Sequence, residues 1–139
     1  LVLLPTAPLR VSSDLLLAKE TFEGNNRNKT LISVSMHTHP PELSWTLEEN
    51  NQLEPFLRKS NDKFFSQKQK YPQRYFFDEC IILDKVSSWL VKDRSLFGES
   101  PLAQITPSIR AHPIDYPIHY EICKSFFPPF DERRQLLEW

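Results

Sequence analysis

Glycine is scarce in this sequence, which has two glycines in 139 residues, where ordinary usage would supply about 7%. Glycine permits the positive φ angles of tight turns and the close approach of a backbone to a phosphate group. Neither Gly24 nor Gly98 has the neighbours of a phosphate-binding loop, a dinucleotide-binding turn or a nucleophile elbow. No Asp or Glu stands out as a general acid or base. We therefore predict no catalytic residue, and a binding protein rather than an enzyme.

Paired cysteines and long hydrophobic runs are also lacking. Cys80 and Cys123 are too far apart for a CxxC motif and too few for a disulfide framework, which favours reduced, buried thiols in an intracellular protein, nuclear or cytoplasmic. The triplet Asn28-Lys29-Thr30 is a glycosylation sequon, and it leaves open an extracellular chain with a Cys80–Cys123 bridge. No apolar run approaches the ~20 residues of a membrane span, so we expect no membrane partner.

The two ends of the sequence bear on its organisation. Leu1–Pro5 has no initiator methionine and no signal-peptide pattern, and residues 131–139 have helical composition without a terminating glycine or asparagine. We therefore predict that residues 1–139 are a single domain or a domain fragment of a larger protein.

The strongest helical pattern covers residues 75–92. Phe76, Cys80, Leu83, Ser87 and Leu90 share one stripe, and further apolar residues widen it to more than half of the helix circumference. A helix with so broad an apolar surface is expected at the centre of a domain. Residues 12–22 favour either a short helix or an extended buried segment.

Two segments predict β-strands. From Thr30 to Met36 apolar and polar residues alternate, which is typical of a strand with one buried face. The alternation is cleanest over residues 114–122, where Pro117 indicates an edge strand. With twelve prolines in the chain, we predict an α+β fold: a central apolar helix packed on a small mixed or antiparallel sheet, with proline-kinked extended arms.

His37 and His39 would lie on the same face of a strand, a spacing that can begin a zinc site. A third ligand could come from a residue further along the chain: His112, Asp115, His119 or Cys123. Nothing in the sequence brings these residues together, and histidines beside Pro40-Pro41 are typical of an exposed polar face. We therefore predict no metal or other cofactor, and keep a metal-dependent hydrolase as an alternative.

A basic segment occupies residues 58–74. Aromatic residues interleave with its cations, as in proteins that bind single-stranded nucleic acid, although a helix over residues 61–69 would bury Phe64 and Phe65 instead. The segment makes a nucleic-acid-binding module the first alternative, ahead of the hydrolase, and its six basic residues are Arg58, Lys59, Lys63, Lys68, Lys70 and Arg74.

Aromatic residues beside prolines are concentrated near the end of the sequence. Such anchors bury much area at a small entropic cost, which suits a protein interface. The same segment could instead fold back on its own core. The leading prediction is a non-catalytic protein-interaction or scaffold module, a complex subunit whose partner is another protein or the rest of its parent chain. Its predicted contact residues are Tyr116, Ile118, Tyr120, Phe126, Phe127, Pro128, Pro129, Phe130 and Trp139.

Overall fold

The computed structural model describes residues 1–57, 68–91 and 95–126 of the chain. The described helices are α1 (Ser12–Gly24), α2 (Val86–Trp89) and α3 (Pro117–Ser125). The described strands are β1 (Leu31–Met36), β2 (Trp45–Leu47), β3 (Leu53–Pro55), β4 (Tyr75–Leu83) and β5 (Leu102–Ile105). Short 3-10 turns cover Pro41–Leu43, Lys68–Lys70 and Ser108–Arg110. The predicted α+β class is confirmed.

The chain divides into two compact units. The first contains Leu1–Ser35 and the chain from Phe77 onward, and the second contains Met36–Phe76. None of the described helices has the length and hydrophobicity that a bilayer crossing requires.

A mixed three-stranded sheet has the strand order β4-β1-β5. β1 and β5 are parallel, in a register that runs from Leu31 opposite Leu102 to Val34 opposite Ile105. The N–H of His37, just after β1, donates to the carbonyl of Arg74, just before β4, at 2.9 Å. Because the end of one strand meets the start of the other, β1 and β4 are antiparallel.

Both faces of this sheet are covered by other parts of the first unit. On one face, the cluster Ala7, Ala18, Phe22, Leu31, Cys80 and Ile81 includes two residues of α1. On the opposite face, Ile32, Val34 and Ile82 pack with Phe77 and Phe97. The prediction that β1 buries only one face is wrong, because Ser33 and Ser35 are also fully buried. A central strand covered on both sides has no solvent face.

The N-terminal arm, residues 1–10, closes the outer edge of β4. Val2 and Ile82 exchange two backbone hydrogen bonds, of 2.7 and 3.0 Å. The Arg10 guanidinium donates to the carbonyls of Leu4 at 2.7 Å and Cys80 at 3.0 Å. Backbone groups that an edge strand would expose are therefore satisfied within the same chain.

The predicted central helix over residues 75–92 is wrong, because Tyr75–Leu83 forms β4 and, among residues 75–91, helix is confined to Val86–Trp89. A strand that is buried on both faces is apolar at successive positions, and this removes the alternation that would separate it from a buried helix. The predicted edge strand over residues 114–122 is also wrong, since Pro117–Ser125 forms α3. Pro117 is at the start of this helix, where its fixed φ and missing N–H are tolerated.

Residues other than glycine supply most of the positive φ angles. Asn26, Arg27, Asn51 and Glu79 have φ between 54° and 63°. In the second unit, Asn51 lies in the turn of the β2–β3 hairpin, which is tight because the Glu48 N–H donates to the Gln52 carbonyl at 2.9 Å. The Asn51 N–H donates to the Glu48 carbonyl at 3.0 Å. Asparagine tolerates this conformation better than most residues, so tight turns form in a chain with little glycine.

Candidate protein-interaction site

The segment before α3 is held by backbone hydrogen bonds and by the side chain of His119. The N–H of Ile114 donates to the carbonyl of Thr6 at 2.7 Å, which joins this segment to the N-terminal arm. At the start of α3, the backbone N–H of Asp115 donates to Nδ1 of His119 at 3.2 Å. The Tyr116 ring meets the His119 ring edge-on, at a centroid distance of 5.3 Å. These contacts set the direction in which the helix begins.

One face of α3 is attached through Cys123. This residue is 2% exposed, and its thiol donates to the carbonyl of His112 at 3.3 Å. Burial raises the pKa of the Cys123 thiol, which favours its neutral form. The Phe126 ring, just after the helix, stacks on the His112 ring with a centroid distance of 6.0 Å. The attachment of α3 thus rests on few side chains.

The rest of α3 presents large apolar side chains to solvent. Isolated short helices are marginal in water, so a nine-residue helix depends on tertiary packing. Here Cys123 is the one fully buried residue of the helix. We name five exposed residues the α3 surface: Tyr116 (66% exposed), Ile118 (62%), Tyr120 (54%), Ile122 (36%) and Phe126 (44%). Exposed apolar residues that lie together mark contact surfaces in proteins, whereas single ones do not. Tyr116 with Tyr120 and Ile118 with Ile122 are two such pairs, each four residues apart and on different sides of the helix.

Four of the predicted interaction residues belong to this surface: Tyr116, Ile118, Tyr120 and Phe126. The remaining ones, Phe127, Pro128, Pro129, Phe130 and Trp139, lie outside the described residues.

The predicted basic segment is described only in part. Arg58, Lys59, Lys63 and the side chain of Lys68 lie outside the described residues. Lys70 is exposed. Arg74 directs both Nε and Nη2 at Oε1 of Glu42, each at 2.9 Å, so its charge is already balanced by a carboxylate. The nucleic-acid alternative remains a prediction.

His37 and His39 each have another partner in the second unit. The His37 ring packs against Phe76 at a centroid distance of 5.1 Å, and Nδ1 of His39 lies 3.2 Å from Oγ1 of Thr38. Within residues 1–57, 68–91 and 95–126, no group of three or more His, Cys, Asp or Glu side chains is arranged to hold a metal ion. The hydrolase alternative therefore has no metal site in this part of the chain.

A buried polar layer, which the sequence analysis missed, lies within the first unit. Asp78 is 0% exposed, and its Oδ1 accepts hydrogen bonds from the Ser33 hydroxyl and from the Cys80 N–H. Ser35 donates to the carbonyl of Thr106 at 3.0 Å. Burial and the nearby Asp78 raise the pKa of the Cys80 thiol to about 12, so this thiol stays neutral and is a poor nucleophile.

A second part of this layer joins α1 to the segment after β5. Arg110 forms a salt bridge with Asp14, whose other oxygen accepts the N–H of Val11 at 3.1 Å. Asp14 thereby caps α1 and fixes it to the Ser108–Arg110 turn. Ser33 and Ser35 are two residues apart, so the sequence places both on one face of the strand. Whether that face is buried depends on what covers the sheet.

No protein-family model matches the chain, and no curated protein matches it in sequence. The functional assignment of this chain therefore rests on the chemistry of its own residues.

Proposed function

We propose that this chain is a non-catalytic protein-interaction module and that the α3 surface is its contact. The observation that carries this proposal is that five large apolar side chains on α3 or directly beside it are exposed, while the helix has one fully buried residue. A partner groove that encloses α3 on two sides would bury both pairs, Tyr116 with Tyr120 and Ile118 with Ile122, and the two tyrosines would serve as aromatic anchors. Their hydroxyl groups can keep a polar contact at the rim while the rings are buried.

The proposed setting is intracellular, in the nucleus or the cytoplasm, as part of a complex or of a longer chain. Cys80 and Cys123 support it, because both are free and both are buried. Reducing compartments preserve such thiols, whereas oxidising compartments favour their use in disulfides.

Site-specific photo-crosslinking tests the proposal. A benzoylphenylalanine at position 120, in the full chain expressed in its native cell type, is expected to give one discrete adduct. Ile118→Asp should reduce that adduct more than about tenfold, because burying an isoleucine contributes about 1.5–3 kcal/mol and a carboxylate opposes burial. An adduct of twice the mass of the chain would identify a second copy as the partner.

Tyr75 provides the matched control. It is also a tyrosine, 44% exposed, on β4. A photo-crosslinker at position 75 should give no adduct that depends on Ile118. If positions 75 and 120 give the same products, or if Ile118→Asp leaves the adduct unchanged in a chain with a normal circular dichroism spectrum, the α3 surface is not the contact.

A further inference from the structure

A concave surface, separate from the α3 surface, lies in the first unit between α1 and the end of β4. This α1–β4 groove has a volume of about 620 Å³, within the range of about 300–1,000 Å³ that is typical of small-molecule sites. Leu15, Leu16, Lys19, Phe22 and Glu23 follow one another along one side of α1. These positions share a helix face because Lys19 is three or four residues from each of the other four. The groove therefore runs along the helix.

The groove is apolar inside. Leu15 and Leu83 are partly buried and pack against the core cluster that contains Phe22. At its margins, Leu16 is 63% exposed and Val86 is 76% exposed. A bound hydrocarbon chain would thus contact the core along the floor and two exposed aliphatic side chains at the margins.

The charged side chains at the rim differ in whether they already have a hydrogen-bond or salt-bridge partner. Arg27 is paired with Glu23 at 2.7 Å. The remaining carboxylate, Asp84, is 8% exposed and accepts hydrogen bonds from the Thr30 hydroxyl at 2.7 Å and the Lys85 backbone N–H at 2.6 Å.

Lys19 and Lys85 differ from these residues, because neither ammonium group has a salt bridge to a carboxylate in the described part of the chain. The nearest polar partner recorded for Lys85 is the neutral Asn28 side chain, with Nζ 3.5 Å from Oδ1. Two ammonium groups therefore border an apolar groove without a fixed counter-charge. The complementary ligand carries an apolar body and one negative end.

We propose that the α1–β4 groove binds an alkyl carboxylate, with the hydrocarbon chain along Leu15, Phe22 and Leu83 and the carboxylate between Lys19 and Lys85. This site is separate from the α3 surface and does not depend on it. A cationic ligand of the same length lacks the matching head group, and a neutral one gains only the apolar contacts.

The test is a titration of the ¹⁵N-labelled full chain with decanoate, below the concentration at which decanoate forms micelles, followed by NMR. The expected result is saturable shift changes confined to residues 15–23 and 83–86. Lengthening the ligand by one methylene should tighten binding by about twofold. A fully buried methylene would tighten it by about fourfold, and about half of that free energy is expected because the groove is open. Decyltrimethylammonium, whose alkyl chain is one carbon longer and whose charge is opposite, should still bind at least about fivefold more weakly.

Three variants separate the groove from general adsorption. Lys19→Glu and Lys85→Glu should each weaken decanoate binding about three- to fivefold, which is the upper range for an exposed ion pair. Lys70→Glu is the matched control, because Lys70 is an exposed lysine of the second unit, and it should leave binding unchanged. Leu16→Glu should abolish binding. If Leu16→Glu fails to fold, Val86→Glu replaces it, since both side chains are mostly exposed.

Equal binding of decanoate and decyltrimethylammonium would overturn the proposal. Equal weakening by Lys70→Glu and Lys19→Glu, or shift changes centred on α3, would do the same. Leu16→Glu should leave the photo-adduct from position 120 intact. The failure of one site is therefore distinguishable from the failure of the other.

Discussion

Replacing Asp78 tests how the polar layer stabilises the sheet. Its Oδ1 accepts from the Ser33 hydroxyl and, at 3.1 Å, from the Cys80 N–H, while the Ser33 hydroxyl oxygen accepts from the N–H of Ile81 at 2.7 Å. These bonds join β4 to β1 on both sides of Glu79, whose φ of 63° interrupts the regular strand. Asp78→Ala removes the shared acceptor and leaves the buried Cys80 N–H unpaired.

The expected cost of Asp78→Ala is about 2–4 kcal/mol of unfolding free energy. An unpaired buried donor costs about 1–3 kcal/mol, and the loss at Ser33 adds about 1 kcal/mol. The second contribution is small because the Ser33 hydroxyl can turn to the Ile81 carbonyl, which is 3.3 Å away. Asp78→Asn keeps an oxygen acceptor in the same place, so its cost should stay below about 1.5 kcal/mol.

Urea unfolding, followed by circular dichroism and by tryptophan fluorescence, measures both variants against the unaltered chain. The linear dependence of unfolding free energy on urea gives each difference from the shift in midpoint. The reasoning fails if Asp78→Asn is as destabilising as Asp78→Ala. Both variants remove the charge, so equal costs would mean that the lost charge, and not the lost acceptor, causes the destabilisation. A cost below about 1 kcal/mol for Asp78→Ala would refute it as well.

Substitutions at three further positions probe the same unit. Glu79→Gly should change the unfolding free energy by less than about 1 kcal/mol, whereas Glu79→Val should cost at least about 2 kcal/mol because a β-branched residue resists a positive φ; urea midpoints compare them. The folded chain should resist alkylation at Cys80 near pH 8. Stability should fall as pH rises from about 9 to about 12, because the unfolded thiol loses its proton first, and Cys80→Ala should lessen that fall. Arg110→Met should cost about 1–3 kcal/mol in thermal unfolding, since Asp14 keeps its capping bond and loses its ion pair.

The sequence predicts the elements whose local pattern agrees with their surroundings. Residues 30–36 alternate as a strand and form β1, and the helix that was one of two possibilities for residues 12–22 is α1. The prediction fails at β4, because nine consecutive residues with few polar side chains suit a buried strand and a buried helix equally. Burial on two faces is a tertiary property, and no local period reveals it.

At α3 the predicted contact residues are exposed, but the predicted strand is wrong because the segment is helical. The alternation of Ile118, Tyr120 and Ile122 suggests a strand, but Pro117 is equally suited to the first turn of a helix. The exposure of these side chains is observed, and their role as contacts is a proposal. The polar layer could not be predicted for a different reason: Ser33 and Ser35 resemble a solvent-facing row until Asp78 and Thr106, distant in sequence, are placed beside them.

The N-terminal arm covers the β4 edge of the sheet with few hydrogen bonds. Its hydrogen bonds to β4 include the reciprocal Val2–Ile82 pair, the bond from Arg10 to the Cys80 carbonyl and a bond of 3.5 Å from the Thr6 hydroxyl to Oε2 of Glu79. Any extended polypeptide that offers the same pair of bonds can compete for that position, including the arm of a neighbouring molecule. At high concentration, reciprocal exchange of arms would link two chains into a swapped dimer, and loss of the arm to a protease would leave β4 open to fibrous growth.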